Sequence, residues 1–195
     1  MRIRGEGAMK FKSSVMVGAG AVFLVLAGSG SPVDGQAKPA AAAATTVLGD
    51  LMQDWQAQRD TILKIADAMP EAKFGFKSTP AQRNYGEQVM HVAEINVEML
   101  KLLGGKAKAP VFAAGSAKTK AQALKALGDS YDYGTALLKE QTDVSIRQSM
   151  QAAWLGPSTR ARVVWTLLAH TMDIYGQMAV YLRLNGIVPP ASRGA

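Results

Sequence analysis

Apolar residues recur along the C-terminal third of the chain at Val163, Leu167, Ile174, Met178 and Tyr181, close to the 3.6-residue period of a helix. Gly186 supplies a stop for that helix, and Pro189-Pro190 forbid a restart close behind it. Three further stretches carry the same signature. In the first, Leu48, Leu51, Met52, Trp55, Ile62, Ala66 and Met69 mark one face, with Asp50, Asp54, Gln58 and Lys64 largely off it. Thr45 or Thr46 can cap its start, and Pro70 ends it. The second opens at Asn84 with Glu87 three residues on, the spacing by which a cap and the third helical residue satisfy each other's backbone amides. It runs to Leu103 and stops at Gly104-Gly105. The third opens at Thr119 with Gln122 in the same relation, and its stripe is Leu124, Leu127, Tyr131, Gly134 and Leu138.

The segments between these patterns are punctuated differently. Residues 71–83 set Phe74 and Phe76 among Gly and Pro, so their rings are expected to plug one end of the core, and Thr79-Pro80 suits a single helical turn. Residues 104–118 are small, basic and broken by Gly and Pro, which predicts a long surface loop. Residues 142–158 are ambiguous: TDVSIRQSMQAAW suits a short amphipathic helix, and Gly156-Pro157-Ser158 breaks the chain before the fourth helix. No run alternates in the manner of a strand, so the pattern predicts an all-α four-helix bundle. Its connections exceed what a minimal bundle needs and are placed to close over one end.

The N-terminal pattern is of another kind. Arg2, Arg4, Lys10 and Lys12 precede an apolar run from Val15 to Gly28, and small residues follow to Gly35-Gln36-Ala37. Basic, apolar, then small is the order of a signal peptide, expected here over residues 1–37. The apolar run falls short of the roughly 20 residues that span a bilayer, so cleavage is expected rather than stable membrane insertion. Residues 38–44 then read as a flexible lead-in and residues 45–195 as the bundle, exported to the periplasm or secreted. The chain has no cysteine, which excludes lipidation at Ser29 and leaves the core to stabilise the domain without disulfides.

Charge narrows the partners. The chain carries 22 Lys+Arg against 15 Asp+Glu, a formal +7, and 18 against 13 would remain after the cut, a charge of +5. The lysines are scattered and no basic stretch is interleaved with stacking aromatics, so nucleic-acid binding is not expected. There is no Cys nucleophile, no serine on a strand-to-helix elbow and no glycine loop in the strand-then-helix context that cradles phosphate. The ten methionines read as core gap-fillers, and Trp55, Trp154 and Trp165 as core or loop anchors. Tyr175, Tyr181 and Arg183 either line a site or, at the bundle end, hold the C-terminal tail.

Chemistry concentrates on two histidines. His91 lies in the second helical pattern and His170 in the fourth, and each is followed three residues on by a carboxylate, Glu94 and Asp173. Residues at i and i+3 share a helix face, so each pair can present imidazole and carboxylate to one point. Bundle cores build metal sites from such pairs on facing helices, and imidazole with an oxygen ligand leaves zinc, nickel, iron and manganese open. The plain alternative is two half-buried histidines, each satisfied by a backbone carbonyl or a carboxylate.

The chain from about Val47 to Arg193 resembles the DinB-like superfamily, especially its exported bacterial members. The resemblance is carried by DWQAQRDTILKIADAMPEAKFGFKSTPAQRNYGEQVMHVAEIN in the first half and HTMDIYGQMAVYLRLNGIVPPASR at the end. It implies a four-helix bundle, often a homodimer, with a divalent metal held by three histidines. One of these sits in the second helix, and two sit four residues apart in the fourth, followed by Tyr-Gly-Gln. His91 matches the first and His170 the second, but Ile174 stands at the third position. Members with known activities include thiol transferases that use low-molecular-weight thiols and metal-assisted hydrolases, while many have no known reaction. Two expectations follow: a site of His91, His170 and either Asp173 or Glu94 acting on a small-molecule or thiol substrate, or a degenerate site in a non-catalytic ligand- or partner-binding domain.

Overall fold

The computed structural model describes residues 45–112, 119–153 and 155–194; the expected signal peptide, the lead-in to Ala44 and Trp154 lie outside the described residues. Four helices dominate: α1 Val47–Ala68, α2 Tyr85–Leu100, α3 Lys120–Lys139 and α4 Arg160–Leu184. The caps fall where the sequence puts them. Thr46 accepts from the Gly49 amide, and Asn84 with Glu87 and Thr119 with Gln122 each close a reciprocal capping box. Past α2 the chain tightens into a 3-10 turn over Lys101–Leu103 and leaves it at Gly104 with φ 67°, a value glycine adopts without a Cβ penalty.

The principal contacts run α1 to α3, α3 to α2, α2 to α4 and α4 to α1, a closed ring of four. The apolar stripes meet inside it. Trp55, Ile62, Tyr85, Leu127, Tyr131, Leu167, Met178 and Tyr181 are each 1 % exposed or less. Trp55 donates its indole N–H to the Tyr131 carbonyl at 3.1 Å, which satisfies the polar atom that burial would otherwise strand. Phe74 packs edge-on to Tyr85 and Phe76 edge-on to Tyr181, so the two phenylalanines close one end of the core as expected. Tyr85 completes that end by donating to the Ile65 carbonyl. Among the described residues no helix is long and apolar enough to cross a membrane.

Five local expectations are corrected. Residues 142–158 do not form an amphipathic helix: a 3-10 turn at Ser145–Arg147 leads into an antiparallel hairpin, β1 Ser149–Ala152 with β2 Gly156–Thr159, in register Ser149 to Thr159. Gly156, at φ 66°, and Pro157 are therefore part of a strand rather than a break, and Thr159 ends that strand by capping α4. Thr79-Pro80 forms a turn closed by the Gln82 amide on the Thr79 carbonyl, not a helix. Gln58, assigned off the α1 stripe, is only 7 % exposed because its amide bonds the Leu168 carbonyl of α4 at 2.7 Å. Trp165, expected as an anchor, is 63 % exposed.

Candidate functional site

The α2–α4 seam brings distant residues into register. Tyr85 meets Tyr181, Gln88 meets Gln177 and His91 meets His170, so numbers rising on one helix fall on the other and the two run antiparallel. The Asn84 capping box fixes where α2 begins, and the buried residues Val89, Val92 and Ala93 fix its rotation. Together they place His91 on the seam, two turns into the helix. On α4, Leu167, Thr171, Ile174 and Met178 are buried and set the face that carries His170.

The two imidazoles touch. Their Nε2 atoms lie 3.1 Å apart, and the rings stand edge-to-face with centroids 5.0 Å apart. Both histidines are half-buried. Burial, then the Arg83 charge and then His170 push the His91 pKa down to about 4. Burial also lowers that of His170, with Arg83 adding to the fall and Asp173 opposing it. Near neutral pH both rings are therefore uncharged, the form in which imidazole is a ligand or a simple hydrogen-bonding group.

That separation has two chemical meanings. A neutral Nε2–H can donate to the other Nε2. Alternatively both lone pairs can face one ion, since nitrogens held at about 2.0–2.1 Å on a tetrahedral metal lie about 3.3 Å apart. The pair thus fits two positions of a divalent metal's shell. The rest of a shell is less complete. His170 Nδ1 is buried without a hydrogen-bond partner, whereas a ligating histidine ordinarily has its second nitrogen held by a carboxylate, carbonyl or water.

The carboxylates are placed differently from the imidazoles. Glu94 and Asp173 are both exposed, and Asp173 accepts from Gln177 Nε2 at 3.1 Å. Among the described residues no group of three His, Cys, Asp or Glu side chains is arranged to hold a metal ion. Ile174 is 3 % exposed and belongs to the core.

Three residues of this region escaped the sequence reading. Gln88, 1 % exposed, donates Nε2 to Gln177 Oε1 at 2.8 Å, and Gln177 passes the chain on to Asp173. Their positions did hold a signal, because Gln88 precedes His91 by three residues and Gln177 follows His170 by seven, both on the histidine faces. Arg83 lies just before the α2 cap, and Tyr181 donates to its carbonyl at 2.7 Å. Its charge reaches both imidazoles. Arg183 bonds Ser192 at 3.4 Å and so holds the C-terminal tail.

Solved structures repeat the architecture. A DinB-like protein from Bacillus cereus ATCC 10987 aligns with a TM-score of 0.57 at 23 % identity, covering 72 % of this chain and 93 % of that one. A DinB-like protein from Bacillus subtilis aligns with a TM-score of 0.57 at 12 % identity, covering 75 % and 99 %. At these identities the likeness concerns the fold. No functionally curated protein matches the chain. The profile of the DinB superfamily matches residues 54–178, which span the capping box of α2, both histidines and the Tyr-Gly-Gln that follows them. The chain belongs to the DinB superfamily.

Proposed function

We propose that this DinB-superfamily domain is exported and binds a divalent metal weakly through His91 and His170, for hydrolysis or thiol or other group transfer on a small molecule. One observation carries the reading: two neutral imidazoles, 79 residues apart in the chain, present Nε2 atoms 3.1 Å apart. His91 and His170 would hold the ion. When bound, it would act as a Lewis acid that lowers the pKa of water or a thiol. Asp173, which accepts from Gln177 and whose charge acts on His170, is the carboxylate this reading would recruit to complete the shell. Glu94 on α2 is the second candidate. Affinity is low on this reading because Ile174 offers no lone pair and His170 Nδ1 has no partner to stiffen the ring. Export rests on the basic-apolar-small order of residues 1–37, and a homodimer remains an expectation of family resemblance.

A second reading is favoured by the burial of Ile174 in the core: the histidines hydrogen-bond each other, and the domain binds a ligand or partner without catalysis. Metal analysis of the full chain purified without a histidine tag separates the two. Zinc, nickel, iron or manganese that binds saturably and is lost in His91→Ala supports the metal site. Protein that takes up none of the four, with a melting temperature indifferent to each, supports the second reading.

A further inference from the structure

Between α1 and α4 lies an open groove of about 430 Å³, within the size range of small-molecule sites, lined by Asp54, Gln58, Thr61, Trp165, Leu168 and Met172 among others. Its walls are unusual for a bundle surface. Trp165 is 63 % and Met172 49 % exposed, so an indole and, two turns further along α4, a thioether both stand in solvent along the groove.

The polar groups of the groove have a consistent character. Asp54 is exposed and, among the described residues, makes no ion pair, while Asp60, Asp67, Asp129 and Asp132 each do. Thr61 spends its hydroxyl hydrogen on the Ala57 carbonyl at 2.9 Å, leaving its oxygen as an acceptor. Gln58 turns its NH2 to the Leu168 carbonyl at 2.7 Å, and its Oε1, on a side chain 7 % exposed, has no partner. Apart from the indole N–H of Trp165, the side chains here offer acceptors, negative charge and a π face. An occupant must bring donors, positive charge and an apolar body.

We infer that this groove binds a small organic cation, a primary or secondary ammonium on an aromatic or aliphatic body. The ammonium sits against Asp54 and the Trp165 face, and the apolar part lies along Leu168 and Met172. Carboxylate attraction and the cation–π contact act on the same charge. The inference stands apart from the histidine pair, which faces α2, and holds whether or not that pair takes a metal.

The test is calorimetric titration of the full chain with 2-phenylethylammonium, with 2-phenylethanol as the neutral match and phenylacetate as the anion. The ammonium should bind saturably at millimolar concentration or below, and the alcohol and the anion several-fold more weakly. Asp54→Asn should weaken the ammonium by about fivefold, the upper end for one exposed ion pair. Trp165→Leu should weaken it by about the same factor through the lost π face. Both side chains are exposed, so melting temperatures should hold. Equal affinity for ammonium and alcohol, no saturable binding at millimolar concentration, or unchanged affinity in both variants would overturn the inference. So would a wild-type dimer that Trp165→Leu dissociates with amine binding untouched, which would give the groove to a second copy of the chain.

Discussion

Ile174 occupies the position one turn beyond His170, where a lone pair would face the seam, and fills it with hydrocarbon. Ile174→His tests the geometry of the pair directly. Without metal the new imidazole is buried without a partner, a cost of about 1–3 kcal/mol, so the melting temperature should fall. With zinc or nickel it should recover, and affinity read by competition against a chromophoric chelator should rise by more than about tenfold, since even outer-shell support is worth about 10–100-fold. A variant that loses stability and gains no metal would place the third position away from the Nε2 pair. Gly134 is constrained in another way. A Cβ there would lie 2.3 Å from Trp55 Cζ2 and 2.7 Å from Cε2, inside the core where that indole is fully buried. Gly134→Ala should therefore destabilise by about 1–3 kcal/mol, the usual cost of overpacking, despite the better helix propensity of alanine. Chemical denaturation measures it, and a neutral outcome would mean that the Trp55 ring shifts freely.

At the scale of elements, α4 is the member that touches most of the fold, meeting α1, α2 and the hairpin through one continuous chain segment. Leu167, fully buried at its centre, should cost about 2–5 kcal/mol on truncation to alanine, read from the denaturation midpoint. A change near zero would mean that α4 presents a different face to the core. Helices α1 to α4 were legible because each carries a 3.6-residue apolar stripe bounded by a cap, a stop or both, so local and global signals agree. The hairpin was not. Ser149–Ala152 and Gly156–Thr159 hold few β-branched or aromatic residues, and what fixes them is tertiary: Ala152 and Ser158 pack inward, and Arg160 ties β2 back to the Gln148 side chain at 3.1 Å. The same division runs through the site. The meeting of His91 and His170 could be inferred from resemblance, but Gln58 was misread because one long-range bond to the Leu168 carbonyl draws a polar side chain inward. Glu94 and Asp173 shared an i+3 relation with the histidines, yet that spacing leaves room for an exposed carboxylate beside a half-buried imidazole.

For the molecule as a whole, the two histidines are the side chains that couple stability to pH near neutrality. Folding buries both rings beside Arg83, lowering His91 to about 4 and His170 below its ordinary value of 6.5. In the unfolded chain both return to about 6.5. Above that pH neither state binds the protons and the stability contribution is complete. As pH falls below 6.5 the unfolded chain takes up protons that the native bundle refuses, so unfolding becomes easier until the native His91 itself titrates near 4. Metal-stripped protein should accordingly lose melting temperature between pH 6.5 and 4. A variant carrying His91→Gln and His170→Gln together should lose less over that window, because glutamine binds no proton in either state. A formal charge of +7 adds repulsion on acidification in both proteins, so the difference between the two curves isolates the histidines. On the proposed metal reading, saturating zinc should raise the wild-type curve at neutral pH and steepen its fall, since protons and metal would compete for the same Nε2 atoms. Coincident curves for wild type and double variant would mean that the imidazoles titrate as solvated groups in the native state, and a packed, neutral pair at the α2–α4 seam would then be untenable.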